Sequence, residues 1–172
     1  MASNNMASNV VIWDQDTCQI PSGVEASSVS MAIQKVLRNS GFHGKIEIIT
    51  SFHRSKSSAD TLKAIEKSGI TYEESKFVDK DAANMVLKLA LYKWTKQNRI
   101  PANVFMISGD GGFLEEVNTL KHLGYQVHWS YRPDSVNDAI SHSIDPKLSW
   151  YSLVRGLGFW DLVLSLSSVA SS

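Results

Sequence analysis

The sequence is poor in the features that mark several classes of protein. Cys18 is the only cysteine among 172 residues, which excludes an internal disulfide and is typical of proteins from a reducing compartment. No apolar run is long enough to span a bilayer, so we predict no membrane association. Charge of one sign is not in excess either, because Lys plus Arg and Asp plus Glu number 17 each. Nucleic-acid-binding proteins often carry a basic surplus, so any attraction to phosphate must come from local patches.

Glycine patterns that bind nucleotides are also missing. The chain contains neither a P-loop nor a dinucleotide-binding fingerprint, which disfavours a nucleotide cofactor and a small-molecule phosphohydrolase. Residues 1–8 repeat Met-Ala-Ser and have no apolar core. We therefore expect a disordered leader there rather than a signal peptide.

Short apolar runs alternate with helical patterns along most of the chain. The runs that predict strands cover 9–13, 45–52, 70–77, 104–108 and 125–131, and the predicted helices cover 24–39, 57–67, 81–97, 114–123 and 135–143. This alternation predicts an α/β fold with a central, mostly parallel sheet flanked by helices. The length argues for one domain, at residues 9–155, followed by an apolar tail at 156–172.

The C-terminal region is unusually rich in apolar and aromatic residues, from 148 to 166. One interpretation is that this region packs back on the domain and closes its core. The other is an exposed docking surface for a protein partner or a second copy of the chain, because contiguous exposed apolar surface usually marks an interaction site. The sequence leaves both open.

Two aspartates follow predicted strands. Asp14 ends the first strand, and Asp110 lies in a Gly-Asp-Gly-Gly corner after the strand at 104–108. Ligands in parallel sheets bind outside the carboxyl ends of the strands, where the strand order reverses. If these strands are neighbours there, both carboxylates face one crevice and would hold Mg²⁺ or Mn²⁺, with Asp16 as a further or alternate ligand. Such a metal polarises a phosphoryl oxygen and helps to generate hydroxide. The simpler alternative is that both aspartates only form turns or cap helices.

Basic side chains occur in two stretches near these strand ends. His53, Arg54 and Lys56 follow the strand at 45–52 and are our predicted contacts to phosphate. The second stretch lies on the helix at 81–97, where lysines are most simply explained as a solvated face. From it we predict only Lys88 to reach phosphate, because it shares a face with Asn84.

Three motifs resemble those of NYN domains, a branch of the PIN-like ribonucleases. Residues 13–21, Trp-Asp-Gln-Asp-Thr-Cys-Gln-Ile-Pro, are similar to the family's opening motif W-D-I-E-N-C-x-V-P. Residues 80–84, Lys-Asp-Ala-Ala-Asn, resemble the middle A-A-D motif. Residues 107–113, Ile-Ser-Gly-Asp-Gly-Gly-Phe, resemble S-G-D-x-D-F. Order and spacing agree from about residue 10 to residue 143, and the similarity is greatest to the limkain or meiosis-regulator type, which has many plant relatives.

The resemblance implies a three-layer PIN-like (Rossmannoid) fold and a Mg²⁺- or Mn²⁺-dependent endoribonuclease acting on single-stranded RNA. It further implies a role in post-transcriptional regulation of gene expression, in the cytoplasm or alternatively in the peroxisome or nucleus. Asp14 and Asp110 match catalytic, metal-binding aspartates of the family. Thr17, Asn84 and Ser108 fall in the motifs and are expected to contact the substrate or its water.

The chain departs from the family motifs at three positions. Thr17 replaces an asparagine, Asn84 replaces the middle aspartate, and Gly112 replaces the second aspartate of the third motif. Two outcomes follow. In the first, Asp81, one helical turn before Asn84, supplies the missing carboxylate and the domain keeps its nuclease activity. Alternatively, Asp81 is a first-turn residue favoured by the helix dipole, and the domain binds RNA or regulatory proteins without cleavage.

Overall fold

The computed structural model describes residues 6–134 and 147–156. Within these residues the strands are β1 Ser8–Asp14, β2 Ile46–Phe52, β3 Thr71–Glu74, β4 Ala102–Ile107, β5 Gln126–Tyr131 and β6 Lys147–Ser149. The α-helices are α1 Ala26–Asn39, α2 Ala59–Lys67, α3 Lys80–Gln97, α4 Leu114–His122 and α5 Trp150–Leu153. Two short 3₁₀ turns, Arg54–Lys56 and Gly111–Phe113, follow β2 and β4.

The described strands form one sheet in the order β3-β2-β1-β4-β5-β6, and every neighbouring pair is parallel. The chain builds outward from β1 in one direction and then outward from β4 in the other. The strand order therefore reverses between β1 and β4, which is where a sheet of this kind opens a crevice for ligands. In the register of these two strands, Trp13 is aligned with Ile107.

Each face of the sheet carries its own apolar core, because alternate strand residues point to opposite sides. On one face, Val10 and Ile12 of β1 pack in a cluster with residues of α3 and α4. On the other, Val11 and Trp13 pack in a cluster with residues of α1, α2 and α5. Such a three-layer arrangement buries both faces of a parallel sheet.

The predicted fold class is confirmed, and most element boundaries agree within a few residues. The main exception is β6, which the sequence analysis missed because Leu148 and Ser149 had been assigned to the apolar C-terminal region. β3 is also shorter than the predicted strand at 70–77. The predicted helix at 135–143, most of the tail at 156–172 and residues 1–5 of the predicted leader lie outside the described residues. Among the helices that are described, none has the length and apolar character needed to cross a membrane.

Candidate functional site

The strand reversal brings the predicted aspartates into one buried pocket. Asp14 ends β1 and is 1% exposed, and Asp110 follows β4 and is 7% exposed. Since Val10 and Ile12 face α3 and α4, the alternation along β1 sends the Asp14 side chain to the same face. We call the group of Asp14, Thr17, Asn84, Ser108 and Asp110 the acidic pocket.

Three hydrogen bonds hold the Asp14 carboxylate. Its Oδ2 accepts from the hydroxyls of Thr17 at 2.6 Å and Ser108 at 2.7 Å. Its Oδ1 accepts from the backbone N–H of Asp16 at 2.9 Å. Burial raises the pKa of Asp14, while the hydrogen bonds from Thr17 and Ser108 oppose that rise. The carboxylate is therefore fixed in orientation within a poorly solvated pocket.

Asp110 is held by a second set of donors. Its Oδ2 accepts from Asn84 Nδ2 at 2.9 Å, and its Oδ1 accepts from the Gly112 N–H at 2.8 Å. The backbone N–H of Asp110 donates to Ser108 Oγ at 3.0 Å. The Ser108 hydroxyl therefore connects the two aspartates, since it accepts from one residue and donates to the other.

Thr17 joins the two loops that carry the aspartates. Its hydroxyl donates to Asp14 and accepts from the backbone N–H of Gly109 at 2.8 Å. The sequence analysis expected Thr17 to contact water or phosphate. In the structure its hydroxyl donates to Asp14 and accepts from a backbone N–H. Thr17 therefore positions the Asp14 carboxylate.

Gly112 lies directly against the pocket. A Cβ built at this position would lie 3.1 Å from Asp110 Oδ1 and 3.6 Å from Asn84 Nδ2. The family's second aspartate of this motif would therefore stand beside Asp110. Its replacement by glycine, together with Asn84, leaves two carboxylates in the pocket among the described residues.

Two buried oxygens near the pocket lack a hydrogen-bond partner within the described part of the chain: Asn84 Oδ1 and Ser51 Oγ. Ser51 is the second-to-last residue of β2 and is in register with Asp14. The sequence analysis missed Ser51, although its place two residues after buried Ile49 on the same strand face was a usable signal. Buried polar atoms are nearly always paired, so an unpaired amide oxygen beside a carboxylate indicates room for a water, an ion or a ligand.

The donor chemistry of the pocket fits a hard divalent cation held mainly through its own waters. Mg²⁺ is commonly bound by one or two carboxylates, with the remaining positions taken by water and substrate phosphate. Asp14, Asp110 and the Asn84 amide oxygen would supply such an all-oxygen set. The residues described by the structure contain no cluster of three or more His, Cys, Asp or Glu side chains suited to a metal. Any metal would therefore be bound less tightly than in a pocket with three or four acids.

Asp81 does not complete the cluster. It is exposed in the first turn of α3, whereas Asn84 is 6% exposed and points to Asp110. Residues three apart on a helix differ in direction by about 60°, which is enough to turn one outward when the other points inward. Lys88, on the same predicted face, pairs with Glu116 at 2.8 Å.

The Asp16 side chain forms an ion pair with Lys56 and is not part of the acidic pocket. Lys56 Nζ lies 3.0 Å from both carboxylate oxygens of Asp16. Arg54 similarly pairs with Glu74 at 3.0 Å. His53 caps the short turn that carries both cations, because its Nδ1 accepts from the Ser55 N–H at 3.2 Å. The predicted basic patch thus stands at the carboxyl end of β2, with Arg54 and Lys56 in ion pairs.

Comparison with known proteins agrees with this geometry. The family model of the NYN domain matches residues 9–149. The chain is 28% identical over 149 residues to "Meiosis regulator and mRNA stability factor 1" of Mus musculus, covering 86% of this chain and 8% of that protein. The protein of the same name from Bos taurus is 27% identical over 148 residues, with the same two coverages of 86% and 8%. The one from Gallus gallus is 26% identical over 133 residues, or 77% of this chain and 8% of that protein.

The chain therefore spans about 8% of the length of these curated relatives. The family match covers most of the chain and includes all three motifs of the acidic pocket. On that match, this chain belongs to the NYN domain family.

Proposed function

We propose that this NYN domain is a metal-dependent endoribonuclease acting on single-stranded RNA in post-transcriptional regulation of gene expression. The observation that carries the proposal is the Ser108 hydroxyl, which links Asp14 to the Asp110 backbone where the strand order reverses. The relatives are named as an mRNA stability factor, which supports an RNA substrate.

The pocket residues have two roles: some would bind the metal ion, and the others fix the orientation of the metal-binding carboxylates. Asp14 and Asp110 would hold Mg²⁺ or Mn²⁺, which supplies polarisation of a phosphoryl oxygen and an activated water. Thr17 and Ser108 fix Asp14, and Asn84 fixes Asp110. Pre-set carboxylates reduce the reorganisation needed when the charged phosphate arrives.

A polar cavity of about 430 Å³ beside the basic patch supports a place for the RNA strand. Its lining includes Asp16, Lys56, Ser57 and Ser58. Single strands are typically bound by cations that follow the phosphates. Release of Lys56 from Asp16 would make its ammonium available to a phosphate.

The test is cleavage of labelled single-stranded RNA by the purified chain with Mn²⁺ or Mg²⁺, with EDTA as the metal-free condition. Asp14→Asn and Asp110→Asn should each reduce cleavage at least about hundred-fold, since each removes one of two charged ligands. Asp60→Asn, an exposed aspartate on α2, is the matched control and should cleave normally. Asp81→Asn should also retain cleavage. If this variant instead fails to cleave RNA, Asp81 is a metal ligand. Unchanged cleavage by folded Asp14→Asn protein would refute the proposed site.

A second candidate function is RNA or protein recognition without cleavage. The observation that favours it is the amide of Asn84, which donates to Asp110 at the position of a family carboxylate. This candidate predicts that RNA binding persists in EDTA and in Asp14→Asn, with no turnover by the wild-type chain. RNA bound but never cut, in either metal, would favour it over the nuclease.

A further inference from the structure

The outer face of α3 carries an exposed apolar stripe. It consists of Met85, Leu89 and Tyr92, whose side chains are 59%, 53% and 57% exposed. These three residues lie within about 60° on one side of the helix, because each residue turns the helix by about 100°. The opposite side is apolar as well, since Leu87 and Leu91 are buried in the core of the domain. A helix that is apolar on every side is normally buried on every side.

Exposed apolar surface continues beyond both ends of the helix. Phe77 and Val78, just before α3, are 67% and 54% exposed, and Ile100, three residues after it, is 52% exposed. Leu123, just after α4, is 58% exposed and lines a cavity of about 340 Å³ together with Tyr92. Most of the large apolar side chains that are more than half exposed in the described chain therefore lie on α3 or beside it. Exposed apolar surface concentrated in this way usually marks an interaction site.

Charges of opposite sign border the stripe at its two ends. Asp81 is exposed in the first turn of α3, and Lys96 is exposed in the last turn. Both lie on the same side of the helix as the stripe, because positions 81, 85, 89, 92 and 96 fall within about 80° of one another. Lys96 Nζ lies 4.7 Å from the centroid of the Tyr92 ring, which keeps the cation beside the stripe. Neither Asp81 nor Lys96 forms an ion pair with another described side chain.

This pattern is complementary to itself when two copies of the helix run antiparallel. Two copies that cross at Leu89 place residue 81 of each copy opposite residue 96 of the other. Asp81 then faces Lys96, and Met85 faces Tyr92. Twofold symmetry repeats each of these contacts, as in most homodimers. A parallel pair would instead place like charges opposite each other at both ends of the stripe.

We propose that the outer face of α3 binds a second copy of this chain in an antiparallel twofold dimer. The apolar stripes cover each other, and Phe77 and Val78 of one copy approach Ile100 of the second copy. Lys88, at the edge of the stripe, is already paired with Glu116 at 2.8 Å. This inference is independent of the proposed nuclease activity.

The length of the helix limits the strength of such a dimer. α3 has 18 residues and extends about 27 Å. One helix pair with its flanking residues falls near or below the roughly 1,200 Å² at which stable interfaces begin. The dimer should therefore be weak, with a Kd in the micromolar range.

The experiment is sedimentation equilibrium of the full chain from about 5 to about 500 μM, a range that brackets a micromolar Kd. The apparent mass should rise from the 19.1 kDa of the monomer towards twice that value. Leu89→Arg places two like charges at the symmetry axis and should weaken association at least about ten-fold. Met31→Arg, at an exposed apolar position on α1, is the matched control and should associate as wild type does.

A charge exchange tests the orientation of the two helices. Lys96→Glu opposes two carboxylates at each end of the pair and should weaken association about three-fold or more. Adding Asp81→Lys restores opposite charges at both ends, so the double variant should recover wild-type association.

Four results would overturn the proposal. A mass of 19.1 kDa at every concentration would exclude the dimer. Unchanged association of folded Leu89→Arg protein would place the interface elsewhere. A double variant that stays as weak as Lys96→Glu would exclude the antiparallel pairing. A monomeric wild type whose RNA binding is lost in Leu89→Arg would assign the stripe to RNA.

Discussion

Every carboxylate oxygen of Asp14 and Asp110 accepts at least one hydrogen bond from the protein. These donors include hydroxyl, amide and backbone N–H groups. Hydrogen bonds to a charged acceptor contribute about 1.5–3 kcal/mol each. Among these donors, the Asn84 amide occupies the position at which the family motif has an aspartate.

At this scale we predict the effect of Asn84→Asp. A carboxylate 2.9 Å from Asp110 Oδ2 would replace a hydrogen bond with repulsion, so the metal-free variant should be destabilised by about 1–3 kcal/mol. The same change adds a third anionic ligand, so Mn²⁺ should bind more tightly and reverse the loss. Unfolding midpoints with and without Mn²⁺ measure both effects.

The control for this prediction is Asn84→Ala, which removes the same hydrogen bond without adding charge. It should lower the midpoint but gain no Mn²⁺-dependent recovery. If Asn84→Asp shows no more recovery than Asn84→Ala, the pocket does not hold a divalent ion through this position.

Among the helices, α3 contributes Asn84 to the pocket from its N-terminal half. Asp79 caps the helix, with its Oδ1 accepting from the Ala82 N–H at 2.8 Å. Asn84 lies one turn further on and reaches Asp110. The cap therefore fixes the start of the helix and, through it, the direction in which Asn84 points.

We predict that Asp79→Ala costs about 1 kcal/mol of stability, the usual effect of losing an N-cap. Fraying of the first turn should also loosen Asn84 and weaken RNA binding or cleavage. Asn98→Ala is the matched control, because Asn98 lies at the far end of α3, where its Nδ2 donates to the Trp94 carbonyl at 3.0 Å. Urea unfolding should show similar losses for the two variants. Equal losses of RNA activity would contradict a specific role for the α3 cap.

For the whole molecule, the balance of charge limits how RNA can be attracted. The formal net charge is zero, and three predicted phosphate contacts are each paired with an acid in the structure: Arg54, Lys56 and Lys88. The Arg54–Glu74 pair is largely exposed and the other two pairs are partly exposed. Ion pairs at the surface are weak, typically below about 1 kcal/mol. They can be exchanged for phosphate contacts, and among the described residues these three are the cations predicted to reach the RNA.

We predict a shallow salt dependence of RNA binding. Single-strand binding falls with log salt at a slope of about −0.7 per neutralised phosphate, so up to three such contacts give a slope no steeper than about −2. Lys56→Gln should reduce the slope by roughly 0.7. Lys45→Gln, an exposed lysine before β2, is the control and should leave it unchanged. Kd measured over a range of KCl concentrations decides this, and a slope near −5 would mean that other cations bind the strand.

The sequence by itself determined the class of fold and the chemistry of the two main side chains. Apolar periodicity reports the burial of each element separately, so β1, β2, β4, β5 and the first four helices were predicted from local residues. Asp14 and Asp110 were identified for the same reason, since each follows an apolar run at a strand end. β6 escaped because three residues are too few to show a period.

The tertiary structure alone decided which side chains meet. Asp14 and Ser108 are 94 positions apart, and Asp16 and Lys56 are 40 apart, so their contacts depend on strand order and register. That order turned Asp16 toward Lys56, left Asp81 outside the pocket and added Ser51 beside Asp14. A local pattern records whether a residue is buried, but its neighbours are set by how distant elements pack.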